Sequence, residues 1–420
     1  MKVLMFGWEF PPHIAGGLGT ACYGMTKGLA ANDVDVLFVM PSASGDEDQS
    51  AVKIINASDV PVDTVSTSVD EFLGKVRFIH IGSNMVPYVD PQDFTKMVEE
   101  ERKRQIKGFR VQYGQKYKFS GENLMEEVAR YAMVGATIAL QHADEFDVIH
   151  AHDWLTYLAG IAAKQLTGKP LVVHVHATSF DRSSDDKIDT RVYDLERKGM
   201  EAADKVIAVS ELTRNIVINK YGISPDKVVA VHNAVDFSDR KTIEVERGVK
   251  DKVVTFLGRI TFQKGPEYFI EAAAKVLKRC NHVRFVMAGS GDMMNRCIRH
   301  VARLGISDKF HFTGFLRGAD VQKMFALSDV YVMPSVSEPF GISPLEAMQT
   351  NVPSIISKQS GVAEVLKYAI KVDFWDIDAM ADAMYGLLNY PAMSDMAARC
   401  GRDEVDALKW NNAAFKIKKV

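Results

Sequence analysis

The clearest candidate chemistry in the sequence lies in the segment Asp329–Glu346. Its apolar start predicts a strand, after which a loop presents Glu338, and Pro344 is typical of the first residue of a helix. Gly341 allows the main chain to approach a ligand, and the free N–H groups at a helix start suit an anionic or polyhydroxyl ligand. A purely structural role is open for the last residues, because Ser343–Glu346 also forms a capping-box pattern.

A pair of cations lies in a second segment, Phe256–Glu267. Arg259 follows a predicted strand and Lys264 precedes a predicted helix, so both side chains project from a turn at the binding edge of a sheet. Two fixed cations can neutralise a leaving diphosphate, since arginine offers a bidentate fork and lysine a point charge. Surface charge is the alternative, which we disfavour because the loop of Glu338 is predicted at the same edge.

A glycine cluster follows the first predicted strand, within Trp8–Thr20. Glycines between a strand and a helix let the backbone wrap a phosphate or a sugar. The cluster, which includes Gly16 and Gly17, lacks the spacing of a dinucleotide fingerprint or of a Walker loop. The sequence therefore disfavours NAD-dependent enzymes and P-loop ATPases.

Two histidine-rich segments follow predicted strands of the first half, at His150–Trp154 and at His174–Arg182. Asp153 is a candidate polar contact for a substrate, although an N-cap of the following helix is an equally open role. His150 and His174 are expected to be hydrogen-bonded strand residues. Neither segment has the spacing of a zinc site, so we expect no metal there.

The elements that must position these residues alternate between short β-branched runs and helical patterns. Such alternation predicts an α/β fold with two doubly wound Rossmann-like domains, each open at the carboxyl ends of its strands. The predicted strands are Lys2–Phe6, Asp35–Met40, Val76–Ile81, Phe146–His150, Pro170–His176, Lys205–Val209, Lys227–Val231, Lys252–Leu257, Val283–Ala288, Lys309–Thr313, Asp329–Met333 and Val352–Ile356.

The predicted domains are residues 1–240 and residues 250–395, separated by a polar run near 236–250. A final helix, within about residues 400–420, is expected to cross back onto the first domain. Residues 84–130 do not follow the strand–helix alternation, and a charged helix at 96–105 is expected there. That segment is interpreted as a solvated surface helix or as an insertion that shapes substrate choice.

Composition excludes several other classes of protein. The 51 Lys and Arg residues nearly balance 54 Asp and Glu residues, giving a formal charge of −3, so a general nucleic-acid binder is not expected. Four widely spaced cysteines fit reduced thiols. No signal peptide or apolar membrane span is expected, and the predicted location is the cytoplasm.

Together these motifs resemble the retaining glycosyltransferases of the GT-B fold, in particular family 4 and the related glycogen synthases. The E-x7-E motif corresponds to Glu338 and Glu346, and the basic pair to Arg259 and Lys264. The glycine loop is similar at Pro11–Gly19. The segments His150–Trp154 and Val175–Thr178 resemble the glucan-synthase branch. Ile14 departs from this pattern, because bacterial glycogen synthases carry lysine there.

The resemblance implies that the two Rossmann-like domains face a central cleft, and it implies roles for individual residues. The second domain is implied to bind a nucleotide sugar, with Glu346 on the ribose and His176 on the transferred sugar. The implied catalytic residues are Glu338, His176, Arg259 and Lys264. The implied donor-binding residues are Gly16, Gly17, Leu18, Arg259, Lys264, Phe340, Gly341, Ile342, Ser343 and Glu346. Asp153 and Trp154 are implied on the acceptor side.

The implied reaction transfers glucose from UDP-glucose or ADP-glucose to the end of an α-1,4-glucan with retention. No cofactor or metal ion is expected beside the donor substrate. The partners are then a nucleotide sugar and a carbohydrate acceptor. The alternatives are a family 4 transferase with another sugar or acceptor (a polysaccharide, a lipid or a small molecule), and a non-catalytic protein that binds a nucleotide sugar.

Overall fold

The computed structural model describes residues 1–12, 17–43, 45–59, 124–183, 188–235, 245–248 and 250–420. Several predictions lie outside these residues. They are the strand at 76–81, the charged helix at 96–105 with most of the 84–130 segment, Gly16, and most of the predicted domain boundary. The domain limits of the sequence analysis therefore stay a prediction.

The described residues contain thirteen strands. They are β1 Lys2–Phe6, β2 Asp35–Met40, β3 Lys53–Asn56, β4 Val148–His152, β5 Leu171–Val175, β6 Lys205–Ala208, β7 Val228–Ala230, β8 Lys252–Leu257, β9 Val283–Ala288, β10 Phe310–Gly314, β11 Val330–Met333, β12 Ser354–Ser357 and β13 Ile370–Val372.

The same residues contain thirteen α-helices. They are α1 Gly17–Ala30, α2 Leu124–Gln141, α3 Trp154–Thr167, α4 Ser179–Arg182, α5 Thr190–Ala202, α6 Glu211–Tyr221, α7 Pro266–Leu277, α8 Met294–Arg303, α9 Ala319–Leu327, α10 Ser343–Gln349, α11 Ile377–Asn389, α12 Pro391–Asp406 and α13 Trp410–Lys419. None of the helices among the described residues is both long and apolar enough to cross a membrane.

The strands form two sheets with doubly wound topology. One sheet has the order β3-β2-β1-β4-β5-β6-β7 and the other has the order β10-β9-β8-β11-β12-β13. The registered pairs are parallel, for example Lys2 beside Asp35 and Lys252 beside Val283. In each sheet the strand order reverses beside a central strand, as in Rossmann-like folds, so ligands are expected beyond the carboxyl ends of the strands. The predicted fold class is confirmed.

Two compact units can be distinguished among these elements. The first comprises Met1–His13, Asp35–Val173 and Thr190–Asp204, and the second comprises Ile14–Val34, His174–Asp189 and Lys205–Val420. In the second unit β8, β9, β11 and β12 are apolar and largely buried, as expected for parallel strands covered on both faces. Phe269 and Phe285 lie in the core of that unit with ring centroids 5.8 Å apart.

The last helix, α13, packs against α1 within the second unit. A Cβ atom at Gly24 would lie 2.0 Å from Nε1 of Trp410, and one at Gly28 would lie 2.6 Å from the Trp410 carbonyl oxygen. The Asn32 amide donates to the Asn411 carbonyl over 3.0 Å. Because no side chain larger than hydrogen fits at Gly24 or Gly28, these two glycines allow the chain end to lie directly on α1.

The sequence analysis missed two strands and displaced two others: β4 is shifted by two residues at both ends, and β12 begins two residues later than predicted. β3 and β13 are short strands at sheet edges, with four and three residues, and neither is a long apolar run. β4 runs from Val148 rather than from Phe146, because Val3 pairs with Val148 and the Asp147 carboxylate accepts a hydrogen bond from the Lys2 amide over 2.8 Å. As a result His150 and His152 both lie within the strand.

Candidate functional site

A buried ion pair joins the two segments that the sequence analysis singled out. Lys264 ends a turn at the start of α7, and its ammonium contacts the Glu338 carboxylate. The Lys264 side chain is 21% exposed and that of Glu338 is 9% exposed. Gly265, at a φ of +65°, lies so close to the Pro334 carbonyl that a Cβ atom would approach its oxygen to 2.1 Å. The glycine therefore lets Lys264 reach the carboxylate.

The backbone around Glu338 is held on both sides of the residue. Its N–H donates to the Gln359 carbonyl over 3.0 Å, and its carbonyl accepts from the Gly361 N–H over 2.9 Å. The Ser335 hydroxyl donates to the carboxylate over 3.3 Å. Glu338 is therefore presented in one orientation before any ligand is bound, which is the preorganisation that electrostatic catalysis requires.

A glycine turn follows Glu338 and leads into α10. Gly341 has a φ of +100°, and a Cβ atom there would lie 3.1 Å from Cγ of Glu338 and 3.2 Å from Met333. A residue with a side chain at this position would have a strained backbone conformation, and its Cβ atom would crowd Glu338 and Met333. Phe340 is buried, and its carbonyl accepts from the Val362 N–H over 2.7 Å. The turn is therefore fixed at both ends.

The capping box considered for Ser343–Glu346 does not form. The N-cap of α10 is Ile342, which has no side-chain capping bond, and Ser343 is the first helical residue. The Ser343 hydroxyl instead accepts from the Tyr331 hydroxyl over 2.7 Å. Burial, with the nearby charges of Glu338 and Glu346, raises the pKa of Tyr331. Both carboxylates of the E-x7-E motif thus disfavour ionisation of the same buried hydroxyl.

Arg259 is exposed, just beyond the end of β8, and its guanidinium is hydrogen-bonded by another residue of the same turn. Its Nη2 donates to Oε1 of the buried Gln263 over 3.1 Å. This bond occupies one of the five N–H donors of the guanidinium and orients the planar group. The cation lies in the same βα turn as Lys264, as the sequence predicts.

The sequence analysis missed the turn after β9. This turn packs on the βα turn that contains Arg259. A Cβ atom at Gly289 would lie 1.8 Å from the Gly258 carbonyl oxygen, and one at Gly291 would lie 2.3 Å from that of Ile260. The Ile260 N–H donates to the Ser290 carbonyl over 2.9 Å. Two glycines spaced two apart, directly after a predicted strand, were the available signal.

The N-terminal glycine loop is only partly described, but its second half reaches the same region. Gly17 is the first residue of α1, and a Cβ atom there would lie 3.9 Å from Cδ1 of Ile342. Leu18 is half-buried on the same helix. The structure thus brings together two predicted donor contacts, Gly17 and Ile342, that are far apart in sequence.

His176 follows the end of β5, where its imidazole stacks on that of His174 with ring centroids 4.4 Å apart. Burial lowers the pKa of His176 to about 3, because the imidazolium form is poorly solvated there. The ring is therefore neutral at physiological pH, and it can act as a hydrogen-bond donor or acceptor but not as a cation.

Asp153 and Trp154 belong to the first unit. Asp153 has a φ of 57°, in the left-handed region, and its side chain makes no capping bond to α3 within the described chain. Asp153 is therefore the N-cap residue of α3 by position, but its carboxylate does not cap the helix. A strained backbone of this kind is typical of functional positions. Trp154 is only 8% exposed, so its ring offers little surface for stacking on a sugar.

The chain has two Asp-x-Asp sequences, Asp33–Asp35 and Asp376–Asp378, and carboxylates in such a pattern can bind divalent ions. Asp376 caps α11 by accepting from the Ala379 N–H over 2.9 Å, and Asp378 forms an ion pair with Lys275. Asp33 precedes β2, and Asp35 is the first residue of that strand. The carboxylates of Asp376 and Asp378 thus have partners within the protein.

Comparisons with known proteins agree with this geometry. A family model described as the starch synthase catalytic domain matches residues 2–230, and one described as glycosyl transferases group 1 matches residues 239–403. The chain is 30% identical to an uncharacterized glycosyltransferase of Methanocaldococcus jannaschii, over 88% of this chain and 84% of that protein.

Two further relatives extend over nearly the whole chain. A glycogen synthase of Mycobacterium tuberculosis is 23% identical over 99% of this chain and 92% of its own. The structure of Anabaena HepE in complex with UDP-glucose has a TM-score of 0.65 and 16% identity, and the match covers 100% of this chain and 98% of that one. Since one family model matches more than half of the chain, this protein belongs to the glycogen synthase-like glycosyltransferases of the GT-B fold, the family of the starch synthase catalytic domain.

Proposed function

We propose that the protein transfers glucose from UDP-glucose or ADP-glucose to the end of an α-1,4-glucan with retention of configuration. The observation that carries the proposal is the buried ion pair of Lys264 and Glu338, with Arg259 in the same βα turn. The glycogen synthase relative and the binding of UDP-glucose by HepE support the choice of donor. The glucan-type segments at His150–Trp154 and Val175–Thr178 support the choice of acceptor.

Stabilising the leaving diphosphate is the largest task in this reaction, because charge develops there as the glycosidic bond breaks. Lys264 has three N–H donors, so its contact with Glu338 leaves capacity for a phosphate oxygen. Arg259 is exposed and offers a planar fork for a second oxygen. Both cations are fixed before the donor arrives, so little reorganisation accompanies bond cleavage.

We assign the remaining roles from the resemblance of the sequence motifs. Glu338 and the backbone from Phe340 to Ser343 bind the glucose hydroxyls, and Glu346 binds the ribose. His176, neutral at physiological pH, hydrogen-bonds the transferred sugar near the reacting carbon. Asp153 lies on the acceptor side.

The acceptor hydroxyl enters on the face that the diphosphate has just left, and the departing phosphate takes its proton. Glu338 is engaged by Lys264 and Ser335 and serves as an electrostatic partner rather than as a covalent nucleophile. We further propose that no metal ion is required, since Arg259 and Lys264 supply the positive charge that a divalent ion would otherwise supply.

A transferase with another acceptor is the second candidate, and Ile14 favours it because glycogen synthases carry lysine at that position. A screen distinguishes the two. The enzyme is incubated with labelled UDP-glucose or ADP-glucose and with maltooligosaccharides, a lipid acceptor or monosaccharides, and Glu338→Gln is the control.

We expect elongated maltooligosaccharides that an α-1,4-specific hydrolase digests completely, with no product from the control variant. Glycosylation of the lipid or the monosaccharide alone, or a new linkage that resists the hydrolase, would overturn the glucan assignment and leave the transferase assignment in place.

A further inference from the structure

The residues on both sides of Glu338 are hydrogen-bonded by side chains from an earlier part of the chain. The Ser337 hydroxyl donates to Oδ1 of Asp181 over 2.6 Å. The Ser210 hydroxyl donates to the Pro339 carbonyl oxygen, also over 2.6 Å. Glu338 therefore lies between two tethers, one to residue 337 and one to residue 339.

The first tether depends on a buried carboxylate. Asp181 is 3% exposed, and its Oδ2 accepts from the backbone N–H of Thr178 over 2.7 Å and from the Thr178 hydroxyl over 2.8 Å. With Ser337, three donors satisfy the two oxygens. Burial nevertheless raises the pKa of Asp181, so the hydrogen bonds do not fully offset the loss of solvation.

The same carboxylate connects two predicted catalytic segments. Thr178 and Asp181 form a capping box at the start of α4, two residues after His176. Ser337 directly precedes Glu338. A displacement of α4 relative to the loop of Glu338 would therefore break the Asp181–Ser337 hydrogen bond. While the bond is intact, it fixes the position of the His176 segment relative to the Glu338 loop.

We propose that Asp181 is a positioning residue that acts through Ser337 to hold Glu338 in its productive place. The proposal rests on the proposed function, because it assigns Asp181 a part in catalysis at Glu338. A small displacement of a preorganised group costs rate rather than binding when the group acts mainly in the transition state. Asp181 itself touches no reacting atom.

A merely structural role for Asp181, as the cap of α4, predicts different behaviour. Ser337→Ala removes the tether and leaves the capping box intact, whereas Asp181→Ala removes both. Ser337→Thr keeps the hydroxyl. Ser183→Ala is the matched control, because the Ser183 hydroxyl donates to the Ser179 carbonyl over 3.0 Å within the same segment and has no bond to the Glu338 loop among the described contacts.

The kinetic arm measures kcat and the donor KM for each variant. We expect Ser337→Ala to lower kcat about tenfold, which corresponds to about 1.4 kcal/mol, with KM changed less than twofold. Asp181→Ala should lower kcat to a similar extent, and the double variant should be no slower than the slower single variant. Ser337→Thr and Ser183→Ala should keep kcat within twofold of wild type.

The second arm measures amide hydrogen exchange at Glu338, whose N–H donates to the Gln359 carbonyl, and needs no substrate. Ser337→Ala should speed exchange there at least fivefold, while Ser183→Ala should not. Unchanged kcat or unchanged exchange in Ser337→Ala would overturn the proposal, as would a raised KM at constant kcat. A wild-type enzyme inert toward every donor would overturn the proposed function instead, and accelerated exchange would still support the tether.

Discussion

Removing the ammonium of Lys264 separates the contribution of the ion pair to stability from its contribution to turnover. In Lys264→Met the aliphatic stem is retained, while the Glu338 carboxylate, 9% exposed, loses its counter-ion. Removing one partner of a buried pair costs about 3–5 kcal/mol. Because Lys264 is 21% exposed and Ser335 still donates to the carboxylate, we expect about 3 kcal/mol, at the lower end of that range.

A second substitution tests the origin of that loss. Lys264→Met combined with Glu338→Gln leaves no unpaired charge, so the unfolding free energy should return to within about 1 kcal/mol of wild type. Turnover should stay depressed about 100-fold or more in the single and the double variant, because both lack a group used in the transition state. Denaturant unfolding reports the stability, and nucleotide release from the donor reports turnover.

The exposed pair of Lys275 and Asp378 provides the control. These side chains are 41% and 79% exposed, so Lys275→Met should change stability by less than about 0.5 kcal/mol and leave turnover at the wild-type level. If Lys264→Met behaves like Lys275→Met in both assays, the reasoning about the buried pair is refuted. If the double variant recovers turnover as well as stability, the catalytic role of the pair is refuted.

Four further predictions concern the rest of the site. Arg259→Ala should lower turnover about 100-fold and leave unfolding within about 0.5 kcal/mol of wild type, because the exposed side chain bonds only Gln263 among its described contacts. Gly341→Ala should cost about 1–3 kcal/mol in denaturant unfolding and at least tenfold in nucleotide release, since φ is +100° and the new Cβ crowds Glu338. The pKa of His176 is lowered to about 3, so as the pH falls below about 6.5 the unfolded chain binds the proton first and the free energy of unfolding decreases. Between pH 7.5 and 5.5, denaturant unfolding should show this free energy decreasing by about 1.4 kcal/mol more in the wild type than in His176→Gln. Turnover should be unchanged after EDTA treatment, and a rate that vanishes with EDTA and returns with magnesium would contradict metal independence.

The strands that position the site could be predicted from local sequence. β1, β2, β8 and β9 have the predicted bounds, because each is a β-branched or apolar run between polar residues and is buried in a parallel sheet. The edge strands β3 and β13 could not be predicted in this way. Their residues are held mainly by one neighbouring strand, so neither needs a continuous apolar run.

The charged residues of the candidate site could be predicted from the sequence, but the hydrogen bonds that hold them in place could not. Residue type and spacing pointed to Arg259, Lys264 and Glu338, since cations and a carboxylate at one sheet edge have a specific chemical use. The hydrogen bond between Asp181 and Ser337 joins residues 156 positions apart, and local sequence carries no signal for it. The capping box at Ser343–Glu346 was a plausible local pattern, but Tyr331 binds the Ser343 hydroxyl instead.

The most direct test of the central claim follows the anomeric proton of the product by NMR. Wild-type enzyme is mixed with UDP-glucose or ADP-glucose and a short maltooligosaccharide, and the first product is observed before any secondary reaction. We predict an α-linked glucose signal that grows together with free nucleoside diphosphate and is absent with Glu338→Gln. A β-linked product, or an α-linked product formed at the same rate by Glu338→Gln, would contradict the account.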